Sequence, residues 1–93
     1  MANPDLFYKE GTSLALSEQY KDALVALQKA LDNGADNVGR IHMVMMEASF
    51  YSGDFRTAYV HVLEAKKDSS TARSARSWEP YIKEKAKNRG VNL

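Results

Sequence analysis

The stretch YSGDFRTAYVHVLEA, residues 51–65, decides the fold because it repeats an earlier stretch, LSEQYKDALVALQKA, residues 16–30. The two stretches lie 35 residues apart, and similar residues recur at that offset. Self-similarity at a fixed period of this length indicates a repeat architecture, in which like units stack side by side. The matching pairs are Ser17/Ser52, Tyr20/Phe55, Lys21/Arg56, Ala23/Ala58, Val25/Val60, Leu27/Val62 and Ala30/Ala65.

Apolar residues at helical spacing predict two helices in each unit and a fifth helix after them. Asn3 followed by Pro4 is typical of a helix start, and Asn33 followed by Gly34 is typical of a helix end. No alternation of apolar and polar residues is long enough to predict a strand. The predicted helices span about 4–16, 20–32, 38–52, 55–67 and 69–88.

Pro80 lies inside the fifth predicted helix, where it removes one backbone hydrogen bond and is expected to bend the element. A helix that starts at Ser77 would instead place Pro80 in the first turn, where proline is tolerated. We favour one kinked helix because its apolar face continues through the proline.

Composition is typical of one soluble globular domain, with 93 residues, 44% hydrophobic and 27% charged. The chain has no cysteine, which excludes disulfides, thiol catalysis and cysteine-bound zinc. Apolar runs such as residues 43–46 are too short to cross a membrane, and the amino terminus has no secretion signal. The sequence fits a cytoplasmic or a bacterial periplasmic protein. Net charge runs from −3 in residues 1–37 to +4 in residues 69–93.

The helix-turn-helix unit resembles the tetratricopeptide repeat. The resemblance covers about residues 4–37 and 39–72, with a capping helix at about 70–88. In the first unit it rests on Phe7, Gly11, Tyr20, Ala23, Leu27 and Ala30. In the second unit it rests on Ala48, Phe50, Gly53, Asp54, Phe55, Ala58 and Ala65.

The resemblance implies an all-α fold of antiparallel helix hairpins, wound into a right-handed superhelix with five helices. It also implies a single domain over residues 1–93, which we expect to be the carboxy-terminal fragment of a longer protein. Three residues depart from the family pattern: Glu10 stands where the family prefers an apolar residue, Glu18 stands where it prefers glycine, and Met46 replaces the small residue found at Gly11. The string ARSARSWEPYI, residues 72–82, resembles the closing helix of bacterial envelope repeat proteins associated with TonB-type energy transduction.

The resemblance further implies a protein-binding module, because the first helix of each unit lines the concave groove of the stack. Residues at groove-facing positions include aromatic and methionine side chains, which suit a peptide or a helix of a partner. A second interpretation is that the methionines and Phe50 pack between the helices. Asp5, Ala15 and Leu16 also fall at groove-facing positions. The candidate partner-binding residues are Tyr8, Thr12, Arg40, Met43, Glu47, Phe50 and Tyr51.

An alternative function is a structural, oligomerisation or end-capping segment of a longer array that binds no separate ligand, because truncated arrays expose a helix face and self-associate. We do not expect an enzyme, since the two histidines, His42 and His61, lie near no serine motif or glycine-rich loop. His61, Glu64 and Asp68 share one helical face and could offer three metal ligands, but a solvated face is the favoured interpretation. No cofactor is predicted.

Nucleic-acid binding is a further alternative, because Trp78 and Tyr81 stand among basic residues and an aromatic ring beside cations can stack on a base. The net charge of only +1 and the place of Trp78 on the apolar face argue against it. Trp78 is instead expected to seal the end of the stack.

Overall fold

Five α-helices account for most of residues 2–93, which are the residues that the computed structural model describes. No strand occurs in this part of the chain, so the predicted all-α fold with five helices is confirmed. Residue 1 of the predicted domain lies outside the described residues. The helices are α1 (Pro4–Leu16), α2 (Tyr20–Asp32), α3 (Val38–Tyr51), α4 (Phe55–Lys66) and α5 (Ala72–Asn88).

Side-chain caps fix the starts of two of these helices. The Asn3 Oδ1 atom accepts a hydrogen bond of 2.9 Å from the backbone N–H of Asp5, and Pro4 opens α1. At α4, the Asp54 carboxylate accepts from the backbone N–H of Thr57 at 3.1 Å and from its hydroxyl at 2.6 Å. Both caps satisfy N–H groups that have no partner within the first turn of a helix.

The helices pair as two hairpins, α1 with α2 and α3 with α4, and α5 packs against α4. The hairpins repeat almost residue for residue, because α1 and α3 end 35 residues apart and α2 and α4 begin 35 residues apart. Gly11 brings α1 close to α2: a Cβ atom at this position would lie 2.6 Å from the Leu27 Cγ atom. Small residues therefore set the spacing within the first hairpin, as the sequence predicts.

The core consists of two clusters that meet in α3. The first cluster joins α1, α2 and α3 through Leu27, Ile41 and Met45, and the second joins α3, α4 and α5. Met46 belongs to the second cluster, so two adjacent methionines on α3 serve different clusters. The predicted role of methionine as a core filler fits both of them.

Helix α5 runs without interruption from Ala72 to Asn88, and Pro80 lies inside it. The predicted single helix through the proline is confirmed, and the alternative start at Ser77 is not adopted. Its buried face of Ala75, Ile82 and Ala86 is fully inaccessible to solvent, which keeps the segments on both sides of the proline packed. None of the helices within residues 2–93 is both long and apolar enough to traverse a bilayer.

The fifth helix begins three residues later than predicted because side chains hold the preceding turn. The Asp68 Oδ1 atom accepts hydrogen bonds from the backbone N–H and the hydroxyl of Ser70. The Thr71 hydroxyl donates to the carbonyl of Ala65 at 2.8 Å. These bonds favour a turn over a helical start at Ser69, since short polar side chains compete with the helical hydrogen bonds of their own backbone.

Candidate functional site

A groove of about 350 Å³ opens between α1 and α3, the first helices of the two hairpins. We name it the α1/α3 groove. Three of the candidate partner-binding residues line it: Thr12 on α1, and Glu47 and Tyr51 on α3. Ala15 and Leu16, which the sequence also places at groove-facing positions, line it too. The structure thus brings together predicted residues from both repeats.

Apolar side chains stand open to solvent along this groove. Leu16 is 82% exposed and Tyr51 is 61% exposed, and each is the last residue of its helix. The ring of Tyr20 lies beside that of Tyr51, with the centroids 6.5 Å apart and the planes inclined by 29°. The two tyrosines form one aromatic wall at the end of the groove where α1 turns into α2.

Two carboxylates accompany these apolar side chains. Glu47 is half-buried against the groove, and this burial raises the pKa of its carboxyl above the usual value. Within residues 2–93 its side chain takes part in none of the ion pairs, which use Glu64 and Glu79. Glu18, at the turn after α1, lines the same groove. The groove is therefore apolar with an acidic edge.

Three of the other candidate residues lie outside the groove lining. Tyr8 packs partly against the first cluster, and its carbonyl accepts a hydrogen bond of 2.8 Å from the Thr12 hydroxyl. Met43 packs partly against the second cluster. Arg40 is exposed at the beginning of α3 and does not line the groove.

Phe50, the remaining candidate, is a core side chain with only 9% of its surface exposed. Its ring lies 5.5 Å from the Phe55 ring, 5.5 Å from Trp78 and 5.3 Å from Tyr81, measured between centroids. Of the two interpretations that the sequence left open for Phe50, packing between helices is the one observed. Trp78 takes part in the same cluster, at the junction of α3 and α5.

Sequence reasoning missed Glu18, Tyr20, Val44 and Ala48 as groove residues. The repeat offset pairs Tyr20 with Phe55, but Phe55 is buried whereas Tyr20 lines the groove. The hydroxyl group of Tyr20 was the sequence signal that this ring reaches the surface. A tyrosine in place of a phenylalanine favours a position where the ring packs and the hydroxyl contacts water.

The two histidines meet between α3 and α4, with 3.0 Å between the Nδ1 atoms of His42 and His61. The ring centroids are 5.2 Å apart and the ring planes are inclined by 29°, and one Nδ1 atom donates to the other, the direction being set by the tautomer. Burial lowers the pKa of both imidazoles, and burial together with His42 lowers that of His61 to about 4. Both rings are therefore neutral at pH 7.

The metal face considered from sequence is not assembled. Asp68 is engaged elsewhere, because its Oδ2 atom accepts a hydrogen bond of 3.1 Å from the backbone N–H of Gly39. Glu64 pairs with Lys67 at 3.1 Å. Within residues 2–93 no group of three side chains is arranged to hold a metal ion. The histidine pair instead joins α3 to α4 through the hydrogen bond between His42 and His61.

No family model, no curated protein and no solved structure matches this chain. The α1/α3 groove stands out by its own geometry, because it combines an open cavity, exposed apolar side chains and a half-buried carboxylate. Such a combination is typical of sites that bind another molecule.

Proposed function

We propose that this chain is a tetratricopeptide-like module without catalytic activity of its own, which binds a peptide or helix of a partner protein in the α1/α3 groove. The observation that carries the proposal is the pair of open apolar side chains, Leu16 and Tyr51, beside a cavity of about 350 Å³. Contiguous apolar surface around a concavity marks interaction sites, because covering it removes apolar area from water.

The duplicated hairpins support the likeness to the tetratricopeptide family. In that family the first helix of each unit lines the concave surface, and here α1 and α3 are the two first helices. The groove lies between these two helices. A partner segment that crosses them would contact both repeats at once.

Selection of short peptides from a display library, followed by an amide NMR titration with the best peptide, tests the proposal. We expect the largest shifts at Thr12, Ala48 and Tyr51. Tyr51→Ala should weaken binding, whereas Val60→Ala, which shortens an exposed side chain on α4 away from the groove, should leave it unchanged. Shifts confined to α2 and α4 would contradict the proposal.

Self-association is the second candidate function, and one observation favours it. Val25 and Val60 occupy equivalent positions of the two repeats and are 56% and 55% exposed. A second groove of about 430 Å³, lined in part by Val25, lies between α2 and α4. Sedimentation over a wide concentration range distinguishes the candidates: a monomer at all concentrations argues against self-association, and a dimer that Val25→Ser disrupts supports it.

A further inference from the structure

Within residues 2–93, the carboxylate of Glu47 has no counter-charge. It is half-buried on the wall of the α1/α3 groove, and no lysine, arginine or histidine within residues 2–93 forms an ion pair with it. Burying a charge without a partner is costly, and a cation brought by a binding partner would offset that cost. The raised pKa of this carboxyl reflects the same loss of solvent.

Glu18 adds a second carboxylate at an unfavourable backbone position. Its φ is 62°, in the left-handed region that disfavours residues with a Cβ atom. Glycine meets the same requirement without strain, as Gly53 does at the equivalent turn of the second repeat. Local backbone strain of this kind concentrates at functional sites. A glutamate at this turn supplies negative charge to the groove.

No lysine or arginine among the described residues lies over the aromatic wall of the groove. Within residues 2–93 four rings have a lysine or arginine over them, those of Phe7, Phe55, Tyr59 and Tyr81. Tyr20 and Tyr51 are not among them. The face of a tyrosine ring attracts cations, and the aliphatic stem of a long cationic side chain packs on apolar surface such as Leu16.

We propose that the α1/α3 groove selects protein segments that place an arginine or lysine side chain between the aromatic wall and the carboxylates of Glu47 and Glu18. Arginine suits the site better than lysine, because its planar guanidinium group stacks on aromatic rings and donates two parallel hydrogen bonds to a carboxylate. The net charge of −3 over residues 1–37 attracts such segments and repels nucleic acid. This inference rests on the proposed function and specifies the chemistry of its partner.

The test compares peptides that are selected from one unbiased display library on three chains: the wild type, Glu47→Gln and Glu10→Gln. Glu10 is an exposed carboxylate on α1 that does not line the groove, so it controls for net charge. We expect an arginine or lysine at one fixed peptide position on the wild type and on Glu10→Gln, and no such preference on Glu47→Gln. Replacing that residue of the best peptide by citrulline or norleucine should weaken binding about tenfold, or about 1.4 kcal/mol.

Glu18→Gly separates recognition from folding, because the substitution relieves backbone strain while it removes one carboxylate. We expect this variant to unfold at a higher temperature than the wild type and to bind the cationic peptide several-fold more weakly. Unchanged affinity in both Glu18→Gly and Glu47→Gln would overturn the inference.

The remaining outcomes distinguish the two proposals. If the selected peptides shift the NMR signals of groove amides but carry no preferred arginine or lysine, this inference is overturned and the proposed function stands. A library that yields no peptide at the groove would overturn both. If Glu10→Gln and Glu47→Gln both abolish the preference for arginine or lysine, the preference comes from net charge, and the inference is overturned as well.

Discussion

Glu18 and Gly53 stand 35 residues apart and share a left-handed backbone, with φ values of 62° and 87°. Each is the second residue after a helix, α1 in one case and α3 in the other. The duplication therefore extends to the backbone of the turn, where the residue type differs most. A glutamate at this position retains the turn at the cost of strain.

Replacing Glu18 by glycine should raise the free energy of unfolding by about 1 kcal/mol, because the left-handed conformation costs about 1–2 kcal/mol for a residue with a Cβ atom. Urea denaturation followed by circular dichroism measures the change. Gly53→Ala is the matched control and should be destabilising by a similar amount. No heavy atom lies within 4 Å of a Cβ atom placed there, so backbone strain alone acts. A destabilised Glu18→Gly variant would show that the glutamate side chain supports folding.

Phe50 and Tyr51 are adjacent, yet their substitution should affect stability to very different extents. Phe50→Ala should lower the free energy of unfolding by about 3 kcal/mol, because it leaves a cavity among the rings of Phe55, Trp78 and Tyr81. Tyr51→Ala should lower it by less than about 1 kcal/mol and should weaken peptide binding, since this side chain is largely exposed. Thermal unfolding and a binding titration of both variants check this. Equal loss of stability in the two would contradict it.

Adding one methyl group at Gly11 should destabilise the first hairpin. The new Cβ atom would lie 2.6 Å and 2.7 Å from two carbon atoms of Leu27, which is fully buried. Overpacking of this kind costs about 1–3 kcal/mol, which outweighs the gain of about 1 kcal/mol from replacing glycine in a helix. Ser13→Ala, at an exposed position on the same helix, is the control and should change stability by less than about 0.5 kcal/mol. Chemical denaturation of both variants provides the measurement.

The histidine pair should make the fold less stable in mild acid. The pKa of His61 falls from 6.5 to about 4 on folding, so the unfolded chain binds its proton first. Stability is therefore complete above pH 6.5 and declines as the pH falls towards 4. We expect a loss of about 1–2 kcal/mol, because solvent reaches part of the pair. Unfolding curves at several pH values above 5, where most carboxylates stay ionised, measure it.

His61→Gln is the variant that tests this assignment, because glutamine can hydrogen-bond with His42 but does not titrate. Its stability should depend less steeply on pH between 5 and 6.5 than that of the wild type. A slope equal to that of the wild type would assign the acid sensitivity to groups other than this histidine.

Local patterns predicted the helices well, because their information lies within a few residues. Apolar spacing and the cap at Asn3 place four of the five helix starts at the residues observed. The start of α5 was predicted too early because hydrogen bonds of Asp68 and Thr71 hold the turn before it. Such bonds involve side chains that also suit a helix start, so the sequence alone does not distinguish the two outcomes.

The candidate site could be predicted only in part, because its geometry depends on contacts between distant helices. The repeat offset correctly brings Thr12 together with Glu47 and Tyr51. Phe50 points into the core because Trp78 and Tyr81, almost thirty residues later, pack against it. The missing counter-charge of Glu47 likewise follows from where the lysines and arginines of other helices lie, which no local pattern records.

Helix α1 contributes a single fully packed residue, Gly11, whereas α3 takes part in both core clusters through Met45 and Met46. Amide hydrogens of α1 should therefore exchange with deuterium sooner than those of α3, since the least anchored element opens first. The groove exists only while α1 stays docked on α3. A molecule bound in the groove would therefore slow amide hydrogen exchange in α1, and more so the larger the fraction of the protein that has it bound. Filling the groove and ordering the first helix would thus go together.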